Sequence, residues 1–365
     1  MADHPEPKFN AKNILVIQLG DIGDVVLATP SFRALKDTLP EARVSALVRK
    51  SYGSLLEADP YLSEVIEVTK NRGKIAEIGR ENFRLVQRLR RASYDLVIDL
   101  RTGDRGAILA FLAGAPVKVA CYGSDKSFWR NRIFTHLVYD PKPAPLPVHP
   151  GADQSLRLLR AIGIDTENTT PKLWIPEAAT VRVKALLSSE NIEENDRWVT
   201  INPFSRWKYK EWGYGKWVEV IDWLRKEHGL HSVLVGSKDE AEAAAGILGK
   251  CDGGAKSLAG KTTLGELAAL LRLSVLHLGV DSAAPHIAFA VGTPTVTIFG
   301  PSDWRAWTVP DGTHRTVTPD LPCIPCHNKG CDGTERSICL EELGAEKVKR
   351  TVEEVLEAIG GESGV

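Results

Sequence analysis

Short apolar runs alternate with stretches of helical period along the whole chain. Residues 13–19, NILVIQL, are apolar at almost every position and predict a strand covered on both faces. Residues 43–48, 64–68, 96–100, 198–202, 232–236, 276–280 and 293–299 read as further strands. Helical spacing predicts helices over 25–39, 74–91, 151–162, 181–189 and 345–359. Strand and helix in alternation predict an α/β chain with doubly wound parallel sheets. Residues 140–150 hold five prolines and predict an extended loop, while the polar stretch 165–176, with Pro171 and Pro176, marks the link between two domains. We place the domains at 1–172 and 173–365, the second carrying a cysteine-bearing segment over 321–340 and a final helix. A length of 365 residues agrees with two domains.

The ends of the predicted strands carry the polar chemistry. After 13–19 comes Gly20-Asp21-Ile22-Gly23-Asp24, a glycine-bracketed turn that sets Asp21 and Asp24 at a strand's carboxyl end. Two readings of Asp24 stand: a carboxylate facing a ligand, or a plain helix cap. Arg101-Thr102-Gly103-Asp104 ends the strand over 96–100, on the same edge as Asp24 if the sheet is parallel, so Arg101 can reach a bound acceptor. In the second half, PFSRWKYKEW follows the strand over 198–202 and sets Arg206, Lys208 and Lys210 among aromatics, a pattern suited to a diphosphate. Ser237-Lys238-Asp239-Glu240 puts acids where a ribose can be held, or where a helix simply starts. In GVDSAAPHIAFAVGTPTVTIFGPSD, Asp281 or Ser282 caps a helix with Pro285 in its first turn, and free N–H groups there suit a phosphate. His286, one turn in, reads equally as an interior histidine. Gly260-Lys261-Thr262 lacks the upstream glycine of a phosphate loop, and Thr263 to Glu266 reads as a capping box instead. Arg80, Arg84, Arg88 and Arg91 share one helix face, which is either a solvated surface or one turned to an anionic acceptor or an acidic membrane.

Composition narrows the classes. Hydrophobic residues make up 43% and charged residues 25%, with a net charge of -1, so nothing global points to nucleic acid. No run approaches the roughly 18 apolar residues of a membrane span, and the polar N-terminus lacks an apolar segment; the expectation is a cytoplasmic protein. Of six cysteines, Cys323, Cys326, Cys331 and Cys339 form a C-x2-C-x4-C-x7-C group. Their spacing allows a structural zinc or an iron–sulfur cluster, with reduced thiols as the plain alternative.

Taken in order, ILVIQLGDIGD, the SRWKYKEW loop, VGSKDE, the GVDSAAPHIAF…FGPSD stretch and the PCIPC…C…CL tail make residues 13–345 resemble the bacterial lipopolysaccharide heptosyltransferases of glycosyltransferase family 9. The resemblance implies a GT-B architecture, two Rossmann-like domains facing a central cleft, with the acceptor on the first and the nucleotide sugar on the second. It implies that Asp24 is the catalytic base, with Asp21 and Arg101 on the acceptor. Lys210 is the diphosphate-contacting lysine, and Ser205, Arg206 and Lys208 lie beside it on the donor. Glu240 matches the acid near the adenosine, and Asp281, Ser282, Ala283 and His286 match the phosphate turn. Many members have glycine where Ala283 stands, which narrows the room for phosphate. The implied reaction is inverting and metal-independent transfer of a sugar, heptose from ADP-heptose, onto a lipopolysaccharide inner-core glycolipid, with peripheral contact at the cytoplasmic face of the inner membrane and no nucleic acid. No cofactor is expected for catalysis. Two rivals share the sequence features: a GT-B nucleotide-sugar epimerase, and a non-catalytic nucleotide- or glycan-binding module.

Overall fold

The computed structural model describes residues 9–69, 75–124, 127–139, 149–193 and 196–362. The chain divides into two compact units, Met1–Trp174 and Ile175–Val365. The first unit runs β1 (Asn13–Gln18), α1 (Ile22–Leu27), α2 (Thr29–Thr38), β2 (Arg43–Arg49), β3 (Glu64–Val68), α3 (Ile75–Arg91), β4 (Leu96–Asp99), α4 (Asp104–Ala113), β5 (Val117–Cys121), α5 (Phe128–Ile133), β6 (His136–Val138) and α6 (Pro150–Arg160). Its strands are all parallel, in the order β3-β2-β1-β4-β5-β6. Connections from β1 run toward one edge and those from β4 toward the other. The crevice of this sheet therefore opens at the carboxyl ends of β1 and β4, where such folds take their ligands.

One face of the sheet is covered by α3, α4 and α5. Leu89, Ala107, Leu109 and Ala110 bury themselves against Leu15, Ile17, Leu47 and Val97. The single helix expected over 25–39 is instead α1 followed by α2. Pro30 has no N–H to give the carbonyl of Val26, and the Thr29 hydroxyl donates to that oxygen at 2.8 Å. Most of the proline-rich stretch 140–150 lies outside the described residues; Pro150 opens α6.

The second unit runs α7 (Glu177–Ser189), β7 (Trp198–Asn202), α8 (Tyr214–His228), β8 (His231–Leu234), α9 (Ala241–Leu248), β9 (Ala255–Ser257), α10 (Leu264–Leu273), β10 (His277–Val280), α11 (Ala283–Ala290), β11 (Thr295–Ile298), β12 (His314–Val317), α12 (Ile338–Glu342) and α13 (Ala345–Glu362). Its strands are again all parallel, in the order β12-β11-β10-β7-β8-β9. The switch in winding now falls between β7 and β10. Trp212 and Trp217, in edge-to-face contact, pack with Val199, Leu278 and Val296. Val348, Val352 and Val355 of α13 complete the same core, so the final helix is a structural closure. Thr263 and Glu266 form the expected capping box at the start of α10. Among the described residues no helix is long and apolar enough to cross a membrane.

Candidate functional site

In the first unit the turn after β1 is held from within. Buried Gln18 accepts the Gly20 N–H at 3.0 Å and donates to the Asp24 carbonyl at 3.3 Å, bracing the turn at both ends. Asp24 sits in the first turn of α1 and accepts the Asp21 N–H through Oδ2 at 2.7 Å. A side chain on Gly20 would meet that carboxylate, since a Cβ there would lie 2.3 Å from Asp24 Oδ2. Glycine is therefore required by the close approach of Asp24. The cap reading of Asp24 is realised in one oxygen only. The other, Oδ1, faces Arg101 Nη1 at 3.1 Å.

Arg101 is itself fixed from below. Its N–H donates to Asp99 Oδ1 at 3.1 Å, and its carbonyl accepts from Arg130 Nη2 at 3.2 Å. Asp99 and Arg130 are fully buried, 3.8 Å apart at their nearest charged atoms. Arg130 also donates to the Cys121 carbonyl and lies over the Phe134 ring. Burial pushes the Asp99 carboxyl up to about 7, against the pull of the Arg101 N–H and of Arg130. Asp99 Oδ2 has no hydrogen-bond partner. Beside this network is a pocket of about 630 Å³ whose lining includes Gly20, Asp21, Arg49, Asp99, Arg101 and Arg105. Arg49 pairs with Asp21 at 3.0 Å, and Arg105 reaches the Thr69 carbonyl.

In the second unit the loop after β7 is organised by Glu211. Its carboxylate accepts from the Ser205 N–H at 3.0 Å, Lys208 Nζ at 2.7 Å and the Tyr214 hydroxyl at 3.0 Å. Burial, followed by the charge of Glu211, pushes the Tyr214 hydroxyl up to about 12, which keeps it protonated and donating. Trp212 anchors the loop from inside, donating Nε1–H to the Leu343 carbonyl at 3.0 Å. The three cations thus part company. Lys208 is spent on Glu211, and Arg206 is exposed with its guanidinium carbon 4.8 Å from the Trp207 ring centre. Lys210 turns inward and donates to Asp281 Oδ2 at 2.6 Å.

That contact brings Lys210 to the start of α11, joining the ends of β7 and β10. Ser282 is the N-cap residue, and its buried Oγ has no hydrogen-bond partner. Ala283 opens the helix, and half-buried His286 lies on it with its ring centre 6.4 Å from that of Trp307. Glu240 accepts the Ser237 N–H at 2.6 Å in a capping box, so the helix-start reading of this acid describes its present bond.

Of the two readings of Cys323, Cys326, Cys331 and Cys339, the structure gives the plain one, reduced thiols. All four are free thiols, and among the described residues no three His, Cys, Asp or Glu side chains are gathered so as to hold a metal ion. Cys339, on α12, is drawn into the core beside Leu340 and Leu343, whereas Cys323 stays exposed. Burial, and then the neighbouring Cys331, Cys326 and Cys323, push the Cys339 thiol up to about 11. Spacing along the chain brought the thiols near one another, but the pull of the core on one of them was not visible in it.

Several structuring residues escape sequence reading. Gln18, Arg49, Asp99, Arg130 and Glu211 act through partners distant in sequence or through a turn whose shape must be known first. Only Asp99 left a local signal, as the single acid in the apolar run LVIDL.

The family model described as glycosyltransferase family 9 (heptosyltransferase) matches residues 82–335. Lipopolysaccharide heptosyltransferase 3 of Escherichia coli is 32% identical over 295 residues, covering 78% of this chain and 83% of that protein. The crystal structure of a glycosyltransferase family 9 protein from Veillonella parvula superposes with a TM-score of 0.79 at 23% identity, over 95% of this chain and 97% of that one. The E. coli ADP-heptose lps heptosyltransferase II structure superposes with a TM-score of 0.75 at 21% identity, over 96% and 99%. The fold is that of these GT-B enzymes, and an epimerase or a non-catalytic module no longer describes the chain. With a family model spanning most of its length and a relative of this identity, the chain belongs to glycosyltransferase family 9.

Proposed function

We propose that this glycosyltransferase moves heptose from ADP-heptose onto an inner-core sugar of lipopolysaccharide, with inversion at the anomeric carbon and without a catalytic metal. The observation that carries this reading is Asp24: a carboxylate fixed by a backbone N–H on one oxygen and by Arg101 on the other, at the crevice of the first sheet. A base held in this way can take the acceptor hydroxyl's proton as the new bond forms. Departure of the nucleotide diphosphate leaves negative charge on its oxygen. Lys210 and the N-terminus of α11 supply positive charge for it, in place of a divalent ion. Attack from the face opposite the leaving group inverts the centre, with the logic of a carboxylate base in an inverting glycosidase.

Asp21 and Arg101 belong to the acceptor side in this scheme. Ser205, Arg206, Lys208, Glu240, Asp281, Ser282, Ala283 and His286 belong to the donor side. For this Lys210 turns from Asp281 to phosphate, while Lys208 keeps its ion pair with Glu211 beside the diphosphate, and Glu240 keeps the Ser237 N–H and offers its second oxygen. The likeness to lipopolysaccharide heptosyltransferase 3 supports a lipopolysaccharide acceptor, and a glycolipid acceptor makes the cytoplasmic membrane surface the place of work.

The deciding experiment incubates the purified chain with ADP-heptose and a series of truncated core acceptors, with and without a chelator. Mass gain of one heptose and an anomeric configuration opposite to the donor's are expected, unchanged by chelation. No transfer from ADP-heptose, retention of configuration, or loss of transfer with the chelator would overturn the reading.

A further inference from the structure

The cysteine-bearing segment that runs into α12 has no part in the transfer scheme, yet it is tied to the loops of the donor side. Its backbone closes on itself, the Cys331 N–H donating to the Arg336 carbonyl at 2.7 Å. Gly330 permits this closure at φ +100°, where a side chain would run into the Thr334 carbonyl. Upstream, the His327 N–H donates to the Pro301 carbonyl in the loop after β11 at 2.8 Å. Downstream comes Ser337, buried at the N-cap position of α12. Its hydroxyl donates to the Tyr209 carbonyl at 2.6 Å, and Tyr209 directly precedes Lys210. On the other side of Lys210, Trp212 donates its indole N–H to the Leu343 carbonyl. The lysine is thus bracketed by two bonds to a single stretch, 337–343. That stretch is itself pinned: Cys339 and Leu340 are buried in the core of the second unit, and Lys216 of α8 donates to the Leu340 and Leu343 carbonyls at 3.2 and 2.8 Å.

We propose that Ser337 is a positioning residue for Lys210, fixing the backbone from which the ammonium reaches the donor diphosphate. The Lys210 side chain has to leave Asp281 when phosphate arrives, so the accuracy of its reach depends on a backbone that stays in place while the side chain turns. The Lys210 N–H donates to the Trp207 carbonyl at 2.9 Å, a bond internal to the loop that moves with it. The Ser337 hydroxyl comes from outside the loop and ties the turn to the core beneath α12. A cation held ready in this way loses less freedom on binding, and the difference appears as donor affinity. The inference rests on the diphosphate role proposed above for Lys210.

The test is calorimetric titration of the full chain with ADP, using the parent, Ser337→Ala, Lys210→Ala and the double variant Ser337→Ala/Lys210→Ala, each checked for native circular dichroism. Ser337→Ala should raise the Kd for ADP about threefold to tenfold, the scale of one lost hydrogen bond. In the double variant the serine change should add less than about twofold to the effect of Lys210→Ala, because a residue that acts through the lysine then has nothing left to position. With ADP-heptose and a truncated core acceptor, Ser337→Ala should raise the donor KM while the acceptor KM stays within about twofold, a split that general loosening of the fold would not give. An unchanged Kd in Ser337→Ala, an equal loss with and without Lys210, or a matching rise in both KM values would each overturn the proposal. Normal ADP binding by Lys210→Ala would remove the diphosphate reading of the lysine, and this proposal with it.

Discussion

Arg101 Nη1 lies 3.1 Å from Oδ1 of Asp24, a residue 77 positions earlier in the chain. The contact exists because β1 and β4 are neighbours in parallel register, with Ile17 level with Asp99, so their trailing turns emerge together. The Asp24 carboxylate is held by the Asp21 N–H and the Arg101 backbone by Asp99 and Arg130, so the pair is the centre of the first unit's candidate site.

Replacing Asp24 by Asn preserves shape and removes the proposed base. Turnover should fall by roughly 10² to 10⁴ while donor affinity stays within about twofold, as read by single-turnover kinetics and calorimetry with ADP. Near-normal turnover would move the base elsewhere.

Gly20→Ala tests the same carboxylate without touching it. The added methyl would stand 2.3 Å from Asp24 Oδ2 and must push it aside. Turnover should drop at least about tenfold with thermal stability lowered by roughly 1–3 kcal/mol, the usual cost of overpacking. A variant as active as the parent would show that the position of Asp24 is not critical.

In the loop after β7, Lys210 reaches the start of α11. Lys210→Ala should weaken ADP binding about tenfold or more, in line with the loss of a charge-assisted bond. Lys208→Ala should change it by less than about threefold, since Lys208 is engaged by Glu211. The reverse order in calorimetric titrations would transfer the diphosphate role to Lys208.

Two buried groups should give opposite pH signatures in stability. Asp99 has its folded pKa raised from 3.8 to about 7 by burial, so its contribution is fully present below pH 4 and is lost as pH rises to about 7. His277, fully buried between strands, is lowered from 6.5 to about 3, so its contribution is present above pH 6.5 and lost as pH falls toward 3. Each has a limiting slope of about 1.4 kcal/mol per pH unit. Urea unfolding from pH 4 to 7 should show the downward slope removed in Asp99→Asn and the upward one reduced in His277→Gln. Parallel curves for parent and variants would show that neither group titrates in this way.

Removing Arg130 leaves Asp99 buried without its cation and frees the Arg101 carbonyl. Arg130→Met should cost about 3–5 kcal/mol, the scale for breaking a buried pair, in the transition of the first unit. A loss below about 1 kcal/mol in denaturant midpoint would mean that the pair is better solvated than its burial indicates.

Alternation of apolar runs with helical periods was enough to read a doubly wound chain, because strands covered on both faces must be apolar throughout and their crossover helices must be amphipathic. The strands over 64–68 and 198–202 were legible to the residue. β5, β6, β9 and β12 were not: three residues in β6 and β9 carry no period, and Lys118 in β5 and His314, Arg315 and Thr316 in β12 interrupt the apolar run. The glycine turn with Asp24, the loop with Lys210 and the helix start at Ser282 were likewise written locally, as turn and cap chemistry.

The tertiary structure decided which partner each of those groups meets. In sequence only the resemblance, through the tryptophan two residues on, preferred Lys210 over Arg206 and Lys208; in the structure Trp212 buried in the core and Glu211 holding Lys208 set Lys210 apart. Asp99 and Arg130, 31 positions apart, became a pair only when β4 and α5 packed together. Four cysteines in a suggestive spacing took different burials, since the core claimed Cys339. Local sequence fixes what a segment can form by its own backbone and periodicity, whereas ion pairs and burial depend on distances that arise only when remote segments pack.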